Sequence, residues 1–128
     1  MPTFQIDANV ATFRRDLAAA KKRHPTVTDD LALLLESLEK NPELGDWIPG
    51  LGKEIRKIRV GIKKQNIGKR SGYRLIYFVD RDASLIRLLL FHHKPDIELA
   101  STATILKALV TALTEGQPPE TKSQGRDA

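Results

Sequence analysis

Between Lys53 and Val79 the chain alternates, turns and alternates again, a pattern that leaves little choice of local fold. Ile58, Val60 and Ile62 are interleaved with Lys57, Arg59 and Gly61, the two-residue period of a strand with one apolar and one basic face. Gln65-Asn66-Ile67-Gly68 supplies turn residues, and Tyr73–Val79 is dense in the aromatic and β-branched side chains that strands favour. A β-hairpin with a long, lysine-rich turn is the expected result. The segment Lys53–Arg74 holds nine of the chain's 21 Lys and Arg residues and one, Glu54, of its 16 acids. The remaining 12 basic and 15 acidic residues leave the rest of the chain net negative, so the hairpin carries the whole positive balance. Such concentration marks a phosphate-binding surface.

The rest of the chain is ordinary enough to fold around this hairpin. At 128 residues one domain is expected, and 41% hydrophobic with 29% charged residues excludes the profile of a disordered chain. The chain has no cysteine, so disulfides and thiolate metal sites are excluded. No metal or cofactor is expected. No apolar stretch approaches a membrane span and no signal-like segment opens the chain, so a cytoplasmic protein is the expectation.

Taken in order, Thr3–Ile6 alternates as a short first strand, with Asp7 or Asn9 placed to cap a helix that carries Val10, Phe13, Leu17 and Ala20 on one face. His24-Pro25 ends that helix. Thr26 or Thr28 opens a second, with the stripe Leu31, Leu34, Leu35, Leu38, which stops at Asn41-Pro42. Pro42–Gly52 reads as a loop from which Leu44, Trp47 and Ile48 tuck onto the core. After the hairpin, Asp80–Ser84 makes a short turn into Leu85–Phe91, whose nearly continuous apolar run suits a central strand buried on both faces. Asp96 is placed to cap a last helix with Ile105, Leu106, Leu109, Val110 and Leu113 as its apolar face. The polar stretch 116–128 reads as a disordered tail. The fold class is therefore α+β, ordered β-α-α-β-β-β-α, with two N-terminal helices on one face of a small, mainly antiparallel sheet and a C-terminal helix.

The helical pair running into LLESLEKNPELGDWIPGLGKEIRKIRV, the block GKRSGYRLIYFVD and the closing LIRLLLFHHKPDIE carry a family resemblance. Over roughly Phe4–Leu113 the sequence resembles the RelE/ParE superfamily of bacterial type II toxins, on its RelE and HigB side. The resemblance is most specific at Gly68–Tyr77, where Gly72-Tyr73-Arg74 opens the middle strand. It implies a toxin domain over residues 1–115, a metal-free mRNA endoribonuclease acting near 16S rRNA in the ribosomal A site, and neutralisation by a cognate antitoxin. The free toxin is expected to be monomeric. In such chemistry the ribose 2′-OH attacks the adjacent phosphate, so the site needs a proton acceptor, cationic donors for the phosphorane and a proton donor for the leaving oxygen.

Matched residue by residue, Arg74 is similar to the arginine that holds the scissile phosphate, and a guanidinium fork suits that task. A structural ion pair with Asp80 or Glu54 is its bland alternative. Lys57 and Arg59 share a strand face and resemble the basic pair of RelE. Lys63, Lys64, Lys69 and Arg70 lie in the turn, where they suit diffuse contact with RNA backbone. Tyr73 and Tyr77 are candidates for stacking on a base, or else core. Histidine transfers protons near neutral pH. Of the neighbours His92 and His93 one alone can face the site, and HigB-like toxins often carry a functional histidine at this position. Lys94 is similar to the lysine closing this strand in RelE relatives, and His24 reads as a surface residue. The chain departs from RelE in lacking a tyrosine beyond Tyr77 and in placing Pro95 just after the last strand, so the acid and base are not carried over. A gyrase inhibitor of the ParE kind, which shares the fold, and a non-catalytic RNA-binding inhibitor of translation remain the alternatives.

Overall fold

In the computed structural model, which describes residues 4–93 and 101–115, the lysine-rich segment becomes β3 (Ile55–Val60) and β4 (Tyr73–Asp80), and β4 turns into β5 (Leu85–His93). Before them come β1 (Gln5–Asp7), α1 (Ala11–Arg23), α2 (Val27–Lys40) and a two-residue β2 (Asp46–Trp47); α3 (Thr102–Glu115) follows. The strands lie in the order β1-β5-β4-β3-β2, antiparallel throughout except for the parallel pair β1–β5. This is the expected α+β architecture with one strand added. β2 pairs Asp46 with Lys57 and Trp47 with Arg56, a bridge too short to leave a period in sequence.

Register divides the sheet chemically, because residues directly opposite one another share a face. Ile58, Val60, Tyr73, Leu75 and Phe91 face the N-terminal helices: Phe13 of α1 lies 6.2 Å from Phe91, and the Tyr73 ring stacks on Phe91 at 4.7 Å. Lys57, Arg59, Arg74 and His92 occupy the other face. Leu75, Tyr77, Val79 and the run Ile86–Phe91 are buried, with Arg87 the polar member of that run. Arg87 reaches Asp7 on β1 and Asp80 on β4, each at 3.0 Å, so its charge enters the sheet fully paired and ties three strands together.

β1 pairs with Leu85–Arg87 alone, and the outer edge of β5 beyond it is covered by α1. Thr12 Oγ1 donates to the Leu89 carbonyl at 2.8 Å, and the Asp16 carboxylate accepts the Phe91 N–H at 2.9 Å. Residues 12 and 16 are one helical turn apart, so a single helix face satisfies the strand edge.

Several local expectations change. The α1 N-cap is Val10, with no side-chain bond, while Asp7 is drawn into β1 to pair with Arg87 and accepts the Asn9 N–H. Thr26 sits at the α2 N-cap without a capping hydrogen bond. Trp47 and Leu44 do not tuck onto the core: they are 51% and 43% exposed, and Lys53 stands over the indole at 5.4 Å, while Ile48 does pack. The apolar face of α3 is rotated, burying Ile105, Ala108 and Ala112 and leaving Leu106, Val110 and Leu113 exposed. The Asp96 cap and the 116–128 tail lie outside the described residues.

The long turn is two short 3-10 turns, Lys63–Gln65 and Lys69–Ser71, around an Ile62–Ile67 bridge, with Asn66 in the left-handed region at φ 60°. Gly72 then enters β4 beneath the β3 backbone, where a Cβ would stand 2.0 Å from the Val60 carbonyl oxygen. Gly72→Ala is therefore expected to cost about 1–3 kcal/mol, the range for forced overpacking, or to shift β3. Urea denaturation checks this, with an unchanged midpoint as the contrary result.

Candidate nucleic-acid site

Three of the sequence-derived candidates fall into one row across three strands. Arg59 on β3 is directly opposite Arg74 on β4, and Arg74 is directly opposite His92 on β5. With strands spaced about 4.8 Å apart, the row spans roughly 10 Å, the scale of a phosphodiester and its two sugars. Neither bland partner holds Arg74: Asp80 pairs with Arg87, and Glu54 pairs with Arg81 at 2.6 Å. Arg74 Nη1 and His92 Nδ1 are both buried with no hydrogen-bond partner among the described residues. Burial, and then the charge of neighbouring Arg59, hold the Arg74 guanidinium below its ordinary range.

Two adjacent guanidiniums without a carboxylate between them are an arrangement that an anion completes. Removing water from a donor without replacing its hydrogen bond is costly, and a phosphate offers acceptors to both arginines at once. Beside this row a cleft of about 770 Å³ opens along β3, with the cations Lys57, Arg59, Lys63, Lys69 and Arg74, the acids Asp30 and Asp46, and Leu33, Leu34, Leu44, Ile58, Val60 and Ile67 among its lining residues. Arg74 belongs to both row and cleft, whereas His92 lines a separate, smaller hollow with Asp16, Arg23 and Tyr73.

The remaining candidates separate. Lys64 pairs with Asp29 at 3.1 Å on an exposed surface, an interaction of little energetic weight. Lys69 and Arg70 are exposed on the second 3-10 turn. Tyr73 and Tyr77 do not suit base stacking: they are 2% and 0% exposed, on the helix-facing side of the sheet. The Tyr77 hydroxyl accepts the Gly45 N–H at 2.9 Å and donates to the Pro42 carbonyl at 2.8 Å, locking the loop before β2; its burial raises the phenol above its ordinary pKa despite the Gly45 bond. His93 points away from the row, with Nδ1 2.8 Å from Arg23. His24 is half-buried: its Nδ1 is 3.0 Å from the Tyr73 hydroxyl and its ring 5.2 Å from that of His93. Lys94 lies outside the described residues. Among the described residues no group of three or more His, Cys, Asp or Glu is placed to hold a metal, and no helix is long and apolar enough to cross a membrane.

Sequence reasoning missed Asp16. Its carboxylate oxygen that accepts the Phe91 N–H is also 3.3 Å from His92 Nε2. Within the sequence it is one more charged residue on a helix, 76 positions from the histidine it meets.

Inorganic phosphate is expected to raise the melting temperature of the wild-type chain more than that of Arg74→Ala, because a ligand bound to the folded state alone stabilises it by mass action. Equal shifts across a phosphate titration, measured against a chloride control of matched ionic strength, would remove Arg74 from the anion site.

No family model and no curated sequence matches the chain. Among solved structures, the toxin RelE of E. coli, determined as a double arginine-to-alanine mutant in the free state, superimposes with a TM-score of 0.56 at 21% identity. The alignment covers 84% of this chain and 97% of RelE. At that identity the likeness is one of fold: this chain has a RelE-like fold.

Proposed function

We propose that the chain is the toxin of a toxin–antitoxin pair and cleaves mRNA on the ribosome. The observation that carries the reading is the row Arg59, Arg74, His92, which places two guanidiniums beside an imidazole, with no carboxylate on either arginine and no partner on His92 Nδ1 among the described residues. The RelE-like fold supports it.

In this reading Arg74 and Arg59 bind the scissile phosphate and stabilise the added negative charge of the phosphorane. The 2′-OH loses its proton as its oxygen bonds to phosphorus; the bond to the 5′ oxygen breaks as that oxygen gains a proton, leaving a cyclic phosphate and a 5′-OH. His92 serves one of the two proton transfers and water the other. Lys57 extends the cationic surface along β3, and Lys63, Lys64, Lys69 and Arg70 dock the domain on ribosomal RNA through its backbone, an attraction weakened by salt. The site of action is then the cytoplasm, and the neutralising antitoxin is a protein whose acidic groups meet the same cations.

Arg74→Ala is expected to stay folded and to lose most cleavage. His92→Ala is expected to slow the chemical step about 10²–10⁴-fold, the usual contribution of a general acid or base. Primer extension on messages from induced cells reads both. If wild-type induction yields no new 5′ ends in ribosome-bound mRNA, the nuclease reading fails; relaxed plasmid accumulating instead would point to gyrase.

A further inference from the structure

We infer that Asp16 is a positioning residue for His92, fixing which imidazole nitrogen exchanges protons with the substrate; the inference rests on the nuclease reading above. The cover that α1 gives to the β5 edge asks only for an acceptor opposite the Phe91 N–H, and a neutral side chain would suffice. A carboxylate is present, and the same oxygen that takes the Phe91 N–H at 2.9 Å stands 3.3 Å from His92 Nε2. The Asp16 side chain is 11% exposed and that of His92 17%, so solvent screens this contact little. The other Asp16 oxygen meets Arg15 at 3.4 Å, but that arginine is 68% exposed and competes weakly.

An ionised carboxylate only accepts hydrogen bonds. The contact therefore favours the tautomer with hydrogen on Nε2, which in the neutral ring leaves the lone pair on Nδ1. Nδ1 is buried with no partner among the described residues, on the residue directly opposite Arg74, whose Nη1 likewise has none among them. On this inference substrate entry uncovers Nδ1, which then exchanges the proton of the reaction with a substrate oxygen while the Nε2–H stays directed at Asp16. This is the acid–histidine logic known from hydrolytic triads. Here it is built from a helix side chain that also seals a sheet edge.

A double-mutant cycle separates this role from edge sealing. Asp16→Asn keeps an oxygen for the Phe91 N–H and removes the charge. Single-turnover cleavage of ribosome-bound message is measured for the full chain, Asp16→Asn, His92→Ala and the double variant. Asp16→Asn is expected to lower the rate at saturating ribosomes tenfold or more, to leave the half-saturating concentration unchanged, and to have no further effect in the His92→Ala background. A wild-type rate in Asp16→Asn, or an equal loss with His92 absent, overturns the proposal. Thr12→Val, which breaks the neighbouring edge bond without touching His92, is expected to lower stability and leave the rate intact; a rate loss equal to that of Asp16→Asn would make the effect structural.

A second readout needs no activity. Nitrogen-15 spectra of the neutral His92 ring are expected to show the Nε2–H tautomer in the wild type and a mixture in Asp16→Ala. Identical spectra overturn the dyad. Should the wild type cleave no message, the nuclease reading falls and the tautomer comparison alone decides whether Asp16 holds His92.

Discussion

The incomplete cover of β5 by β1 is the constraint on which the arrangement turns. Only Leu85–Arg87 gain a strand partner on that side, while the backbone groups of Leu89 and Phe91 still need partners, since an unpaired edge group in a packed domain is costly. α1 resolves this with Thr12 and Asp16. Its position along the edge is thereby set to within a hydrogen bond, and with it the position of Phe13 on Phe91. The site depends on this packing because His92 is the next residue along the same strand.

Charge is organised by the same sheet. Arg87 and Arg74 lie one strand apart, yet they are treated oppositely: Arg87 is buried between two carboxylates, whereas Arg74 is given a second arginine for a neighbour. Glu54 and Glu43 pair with Arg81, and Asp80 with Arg87. The acids that neutralise structural arginines are thus spent away from the row. Among the described residues the Arg59–Arg74 pair has no carboxylate counterion, and the repulsion between the two is one that an anion would relieve.

Much of the fold was legible because its determinants are local. Two-residue alternation marked β3, the apolar run marked β5 as central, and proline ended both N-terminal helices where expected. Cationic candidates were legible by charge, but their alignment was not: placing Arg59, Arg74 and His92 in one row requires the register across two turns, and β4–β5 shifts register between Ile76 and Tyr77. Asp16 was invisible because a helix-borne acid has no local signature of its partner. Trp47 was misjudged for the opposite reason. A lone tryptophan ordinarily packs, yet Tyr77 already holds the preceding loop through Gly45 and Pro42, and β2 sends the indole outward at the sheet's edge. The α3 stripe was misassigned because Ala108 and Ala112 let the helix pack closely, while a reading weighted by large apolar residues favours the other face.

Gly72-Tyr73-Arg74 shows why three adjacent residues with separate tasks act as one device. Gly72 lets β4 enter under the Val60 carbonyl; any Cβ there would push the strands apart at the pair Val60–Tyr73, next to Arg59–Arg74. Tyr73, stacked on Phe91 and bonded to His24, anchors the strand on the helix side. With the backbone fixed by close approach on one side and ring packing on the other, Arg74 projects to the opposite face at a set height, level with His92. A guanidinium whose stem is held this way would lose little further freedom on gripping the phosphate of the proposed reaction, which is how a fold converts packing into affinity. The tyrosine therefore serves the site by being buried, through the position it gives the arginine beside it.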